Sequence, residues 1–171
     1  GHAFYKDNTV QDGSRKDYLQ NVTVKEHTHI MVINKCACGY TCPHTSVNES
    51  SVCTVCGKQM AASVTVSDAV TYYDTFSNAL VYASKNDGCT LKLLANVESA
   101  VSIEVPLIFD LNGHNVQGLS VCAKVTVRDS STKKGKIGRV LIFDKYEEKT
   151  NLTLGDLLEE GYGFKHENGI W

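Results

Sequence analysis

The stretch "TLKLLANVESAVSIEVPLIFDLNGHNVQGLSVCAKVTVRDSS", residues 90–131, decides the fold. Its short apolar runs, "TLKLL", "VSIEV", "LIFDL", "LSV" and "VTVRD", alternate with gaps punctuated by Asn, Gly, Asp and Ser. Val, Ile and Thr dominate the runs, and such side chains suit a pleated, half-buried surface, so each run is predicted to be a β-strand. "RVLIF" at residues 139–143 adds another. "TLKLL", "LIFDL" and "VTVRD" recur at a spacing of roughly 17 to 18 residues, near the lower end of the periods that mark stacked repeats. This spacing fits the rungs of a parallel β-helix. A compact antiparallel body with hairpins produces similar runs, and periodicity leaves both open.

Upstream, "AASVTVSDAVTYYDTFSNALVYASKNDG" (residues 61–88) begins with the alternation of "SVTVS" and shifts to a period near 3.6. Phe76, Ala79, Leu80 and Ala83 fall on one helical face, Asp74 or Thr75 can cap its start, and Asn86-Asp87-Gly88 supplies a stop. Downstream, "NLTLGDLLEEGYGF" is predicted to form a second short helix: Thr153 caps it, Asp156 sits in its first turn, Gly161 closes it, and Leu154, Leu157 and Leu158 face the core. Two or three rungs between Thr90 and Phe143 are few for a free-standing stack, because each rung buries its faces against its neighbours. The terminal helix or the segment before the strands is therefore expected to cap it.

That preceding segment is "CACGYTCPHTSVNESSVCTVCGKQM", residues 36–60. Cys36, Cys38, Cys42, Cys53 and Cys56 cluster there, while Cys89 and Cys122 stand alone. Seven cysteines cannot all pair within one chain, and Cys-x-Cys and Cys-x-x-Cys spacings converge on an ion more readily than they form separate disulfides. In "CTVCG" two thiols and a following glycine make a zinc-knuckle turn. Six local residues compete for four tetrahedral places. One zinc ion can take Cys38, His44, Cys53 and Cys56, leaving Cys36 and Cys42 as spare thiols or a local disulfide; alternatively Cys36 or Cys42 replaces His44. His27 and His29 in "EHTH" are candidates for a second ion. Thiolate-rich closed sites are structural, whereas catalytic zinc keeps an open position. Val47, Val52 and Val55 cannot form a core, so zinc is expected to supply the missing stabilisation, on the order of 10 kcal/mol.

The chain has 171 residues, 42% of them apolar, with 17 basic and 19 acidic side chains. It can bury a real core, and its near-zero net charge provides no field to gather nucleic acid or anionic lipid. No apolar run is long enough to span a bilayer, so no membrane contact is expected. Gly1-His2 reads as a cloning scar and the stop at Trp171 as the edge of a piece excised from a longer protein. The expected organisation is an N-terminal segment (1–30), a zinc-ribbon-like Cys/His module (31–62), a helix plus β-helix-like unit (63–150), and a capping helix with tail (151–171).

Residues 72–137, from "YYDTFSNALVYASKNDGCTLKLL" through "FDLNGHNV" and "VTVRDSS", resemble a unit of large modular surface proteins of Gram-positive bacteria. "KCACGYTCPH", "CTVCGK" and "LTLGDLLEEGYGFKHENGIW" also resemble elements that flank such units. The resemblance implies a mainly β fold, a short right-handed parallel β-helix with one or two short helices. It implies an extracellular location, secreted or in the cell wall, with neighbouring modules of the same parent chain as partners.

Other chemistry is sparse. Asp110, Asp129, Asp144 and Glu147-Glu148 surround the strands, and a nearby carboxylate pair can hydrolyse glycosides. Asp110 and Asp129 precede turns, however, where side-chain oxygens satisfy amides. His114 is expected to be an exposed turn residue, and Cys89 and Cys122 buried thiols. Tyr72, Tyr73, Tyr162, Phe164 and Trp171 are read as packing residues, with a sugar platform as the alternative. "STKKGK" reads as a solvated loop. No catalytic residue is assigned. The functional expectation is a non-catalytic structural or adhesion module stabilised by zinc. The alternative is an accessory domain of a secreted enzyme that acts on host glycans or proteins.

Overall fold

The computed structural model describes residues 41–143, together with short strands at 4–6, 9–10, 23–24, 31–32 and 35–36. The chain divides into two units, Gly1–Pro43 and His44–Trp171. In the first, β1 (Phe4–Lys6) lies between β2 (Thr9–Val10) and β3 (Thr23–Val24), antiparallel to both. β4 (Met31–Val32) and β5 (Lys35–Cys36) form an antiparallel pair. The predicted terminal helix, with Thr153, Leu154, Asp156, Leu157, Leu158 and Gly161, lies outside the described residues.

The second unit is mainly β, and the six predicted runs are all strands. They are β8 (Thr90–Leu93), β9 (Val97–Ile103), β10 (Leu107–Asp110), β11 (Val116–Val121), β12 (Val125–Arg128) and β13 (Val140–Ile142). Successive strands alternate between two sheets. β10 pairs in parallel with both β8 and β12, and β11 pairs in parallel with both β9 and β13. Thr90, Ile108 and Thr126 stand in one row, 18 residues apart, as do Val101 and Leu119. This is the stacked, β-helix-like arrangement. An antiparallel sandwich is excluded because every pairing among these six strands is parallel. The last turn is longer: Leu119 pairs with Val140, 21 residues on.

Register aligns apolar side chains of successive turns into columns. Val64, Leu91, Phe109 and Val127 stand in one cross-strand row, and all are buried. In the other sheet Val101, Leu119 and Val140 form a row beside Ile103, Val121 and Ile142, also buried. Every second side chain of a strand points to the same face, so one in-register turn delivers all its apolar residues to the core. A fully buried Leu, Ile or Phe contributes about 1.5–3 kcal/mol, and the stacking repeats that gain per turn.

Polar side chains hold the corners between strands. Asn96 Oδ1 accepts from the Asn115 amide at 2.9 Å, and Asn115 Oδ1 accepts from the Lys136 amide at 2.9 Å. Asn112 Nδ2 donates to the Leu93 carbonyl at 3.0 Å. Each bond links one turn to the next and satisfies a corner group that no ladder serves. In "DLNG", Asn112 and Gly113 have φ of 48° and 80°. A Cβ at Gly113 would lie 2.6 Å from the Lys133 carbonyl oxygen, so only glycine fits.

A hairpin covers the first turn. β6 (Ala62–Val66) pairs antiparallel with β8 and with β7 (Ala69–Tyr73), giving the sheet order β12-β10-β8-β6-β7. Ser67 and Asp68, with φ of 46° and 70°, form its two-residue turn; positive φ at both suits the twist of a hairpin. The sequence pattern passed from "SVTVS" straight to the helix, and β7 is the strand it lacked. Helix α1 (Phe76–Ala83) follows, with Thr75 as N-cap accepting from the Asn78 amide at 3.3 Å. Ala79 and Ala83 are buried, and Phe76 and Leu80 pack on the same core, as the helical period predicts.

Candidate metal centre

The knuckle starts from "CTVCG". Gly57, at φ 71°, donates its amide to the Cys53 carbonyl at 2.9 Å, and the Cys53 amide donates to the Lys58 carbonyl at 2.8 Å. These bonds close a tight turn from which both thiols project, and the left-handed conformation at its end is where a glycine is needed. Antiparallel bridges Val47 to Cys53 and Val52 to Gln59 hold the flanking chain. Asn48 Oδ1 accepts from the amides of Ser50 and Val52, both at 3.0 Å, and fixes the loop between them. His44 has φ 49°.

This geometry brings together Cys42, His44, Cys53 and Cys56, whose ligand atoms all lie within 4.8 Å of one another. Cys56 Sγ is 3.5 Å from His44 Nδ1. A zinc tetrahedron with Zn–S near 2.3 Å and Zn–N near 2.05 Å has S–N edges of about 3.6 Å and S–S edges of about 3.8 Å. The Cys56–His44 distance matches such an edge, and four Cys/His groups this close together are compatible with zinc. Cys42, Cys53 and His44 are buried and Cys56 is half-buried, so the cluster is screened from water on most sides. Three thiols and one imidazole fill a tetrahedron without leaving a position for substrate.

Of the six residues proposed from sequence, His44, Cys53 and Cys56 are in this cluster, with Cys42 as the fourth member. Cys38 lies outside the described residues, as do His27 and His29, and only the backbone of Cys36 is described, within β5. The sequence spacing leaves Cys42 either a spare thiol or a replacement for His44, whereas the cluster holds both residues. The signal for Cys42 was the Cys-Pro-His triplet, which puts it on the same short arm as His44.

The knuckle runs directly into the body of its unit. Lys58 forms an ion pair with Asp74, and the ammonium holds that carboxyl below its ordinary range. The Met60 amide donates to Ser51 at 2.9 Å, its side chain is fully buried, and the Ala61 amide donates to Tyr73 at 2.8 Å.

The other candidates that are described make local contacts within the fold. Asp110 is completely buried, and its Oδ1 accepts from the amides of Asn112 and Ser130 at 3.0 Å each. Its Oδ2 accepts from Arg128 Nε at 3.0 Å. Burial pushes the carboxyl up, but the Ser130 and Asn112 hydrogen bonds and the Arg128 charge outweigh it and leave the pKa lowered. Asp129 Oδ1 accepts from the amides of Gly113 and Ser131 at 3.0 Å, and Oδ2 from Gly135 at 2.6 Å. Both are turn acids, as their positions predicted. Asp144, Glu147 and Glu148 lie outside the described residues.

His114 differs from expectation: it is half-buried, and desolvation lowers its pKa against the opposing pull of Asp129. Cys89 is buried and its thiol pKa is raised by desolvation, whereas Cys122 is only half-buried, its Sγ 3.8 Å from Ser102 Oγ. Tyr73 packs on Tyr82 with ring centroids 5.6 Å apart, a packing role rather than an open platform. Tyr162, Phe164 and Trp171 are outside the described residues. Lys134 Nζ donates to the Asp129 carbonyl at 2.8 Å, closing the "STKKGK" loop.

No family model matches the sequence, and no curated protein or solved structure matches it either.

Proposed function

We propose that this chain is a non-catalytic structural module whose Cys/His loop is held by one zinc ion coordinated by Cys42, His44, Cys53 and Cys56. The carrying observation is the closed cluster, four ligand atoms within 4.8 Å of one another on a loop with almost no apolar core of its own. The carboxylates of the coil corners support a non-catalytic reading, because Asp110 and Asp129 spend their oxygens on turn amides and Arg128. The resemblance of the "FDLNG" and "DSS" corners to units of Gram-positive surface proteins supports display outside the cell, in the wall or secreted. Neighbouring modules of the same parent, or a host glycan or protein, are then the partners. Elemental analysis tests the metal: protein purified without chelator should carry one zinc per chain. Cobalt substitution should give thiolate charge-transfer absorption that Cys56→Ser weakens. A chain with well under one equivalent of metal and no cobalt spectrum refutes the reading.

A further inference from the structure

We infer that the metal loop anchors the cap of the β-coil, so that releasing the ion uncaps the stack instead of melting a separate knuckle. The inference rests on the zinc reading above and adds what the ion controls. Three connections carry it. The chain leaving Cys56 passes through Gly57, Lys58, Gln59 and Met60 into β6, and β6 is the antiparallel strand that covers β8, the first strand of the coil. Gln59 Nε2 donates to the carbonyls of Ser50 and Ser51 at 3.1 and 3.3 Å, and the buried Met60 donates its amide to Ser51, so this entry into the sheet is gripped by the loop the ligands close. Lys58 pairs with Asp74, the residue between β7 and the Thr75 cap of α1, which ties the knuckle to the return strand and helix as well.

The size of the stack makes this coupling matter. Each of the two parallel ladders has three strands, and a stacked array is stabilised by the sum of its few neighbour interfaces plus its caps. Ala62 and Val64 of β6 are fully buried against that first turn, with Ala79 and Ala83 of α1 in the same core. Loosening β6 exposes the first row of the core, and the cost falls on the whole unit.

The experiment is hydrogen exchange on the intact chain, zinc-loaded and after removal of the ion with a chelator, alongside thermal melts followed by far-ultraviolet circular dichroism. Metal content is measured on the same samples. Coupling predicts at least a tenfold loss of amide protection in β6, β7 and α1 on metal removal, and one melting transition that moves down as a whole. A Lys58→Met chain should still bind one ion while the chelator-induced loss of protection in β7 and α1 shrinks relative to the native chain. Stoichiometric metal whose removal leaves residues 62–83 fully protected overturns the coupling and leaves the zinc reading intact. A chain that takes up no metal overturns both.

Discussion

Asp110 offers the most exacting test of how the coil corners are built. Its side chain is completely buried, and its two oxygens serve the Asn112 amide, the Ser130 amide and Arg128 Nε, each at 3.0 Å. Asp110→Ala removes the acceptor from two backbone donors and one guanidinium. A buried donor left without a partner costs about 1–3 kcal/mol. Asn112 is half-buried, and Ser130 and the Arg128 side chain reach solvent, so the lower end applies and the total is about 3 kcal/mol. Asp110→Asn keeps an oxygen for the two amides but turns an NH₂ toward Arg128, and should cost about 1–2 kcal/mol. The pH dependence separates charge from shape. The folded carboxyl is held below its unfolded value, so its contribution is complete above about pH 4 and is lost as pH falls through the folded pKa. Urea unfolding followed by circular dichroism at several pH values measures both. The gap between native chain and Asp110→Asn should be full at pH 7 and should close as the medium is acidified below pH 4. An Asn variant as stable as the native chain at pH 7, or a gap that stays constant down to the acid limit, would refute the ionised-corner argument.

Two substitutions test the stacking and the corners directly. Phe109→Ala empties the centre of the Leu91–Phe109–Val127 row and removes the edge-on partner of Phe76, whose ring centroid is 6.3 Å away; denaturant unfolding should show a loss of about 3–5 kcal/mol. Gly135→Ala drives a Cβ into the His114 backbone and should cost more than about 2 kcal/mol, whereas Gly88→Ala meets only open space and should cost about 1 kcal/mol for its positive φ. Equal effects at the two glycines in the same unfolding assay would show that the close approach at Gly135 is not real.

Strand positions were legible in the sequence because "TLKLL", "VSIEV", "LIFDL", "LSV", "VTVRD" and "RVLIF" are short apolar runs, rich as a set in Val, Ile and Thr, separated by Asn, Gly, Asp and Ser. Alternation identifies the face a side chain takes but not the neighbour its strand pairs with, so parallel stacking stayed undecided until the registers placed Thr90, Ile108 and Thr126 in one row. The strand "AVTYY" was missed although Ser67-Asp68 is an adequate two-residue turn, because the helical period of Phe76, Ala79, Leu80 and Ala83 drew the segment into the helix. The metal cluster was legible as a cluster and not as a ligand set. Cys36, Cys38 and Cys42 are all within a short loop's reach of "CTVCG", and spacing cannot rank them; the choice depends on backbone conformation such as the positive φ at His44.

The longer third turn shows why the motif residues are where they are. Between β12 and β13 the chain takes three residues more than the 18 of the earlier turns, yet Val140 and Ile142 still fall in register with Leu119 and Val121. Asp129 makes this happen: one oxygen spans Gly113 and Ser131, the other reaches the Gly135 amide, and Lys134 closes over its carbonyl. Gly135 can then lie against the His114 backbone, where no side chain would fit. The Lys136 amide next binds Asn115 and returns the chain to the asparagine row that starts the second sheet. The extra residues are confined to one corner and never reach the core columns. The "DLNG" and "DSS" signatures are therefore devices for keeping register across turns of unequal length: the Asp110 and Asp129 carboxylates accept from corner amides, the Asn112 side-chain amide donates to the Leu93 carbonyl, and the Ser130 hydroxyl donates to Asn112 Oδ1.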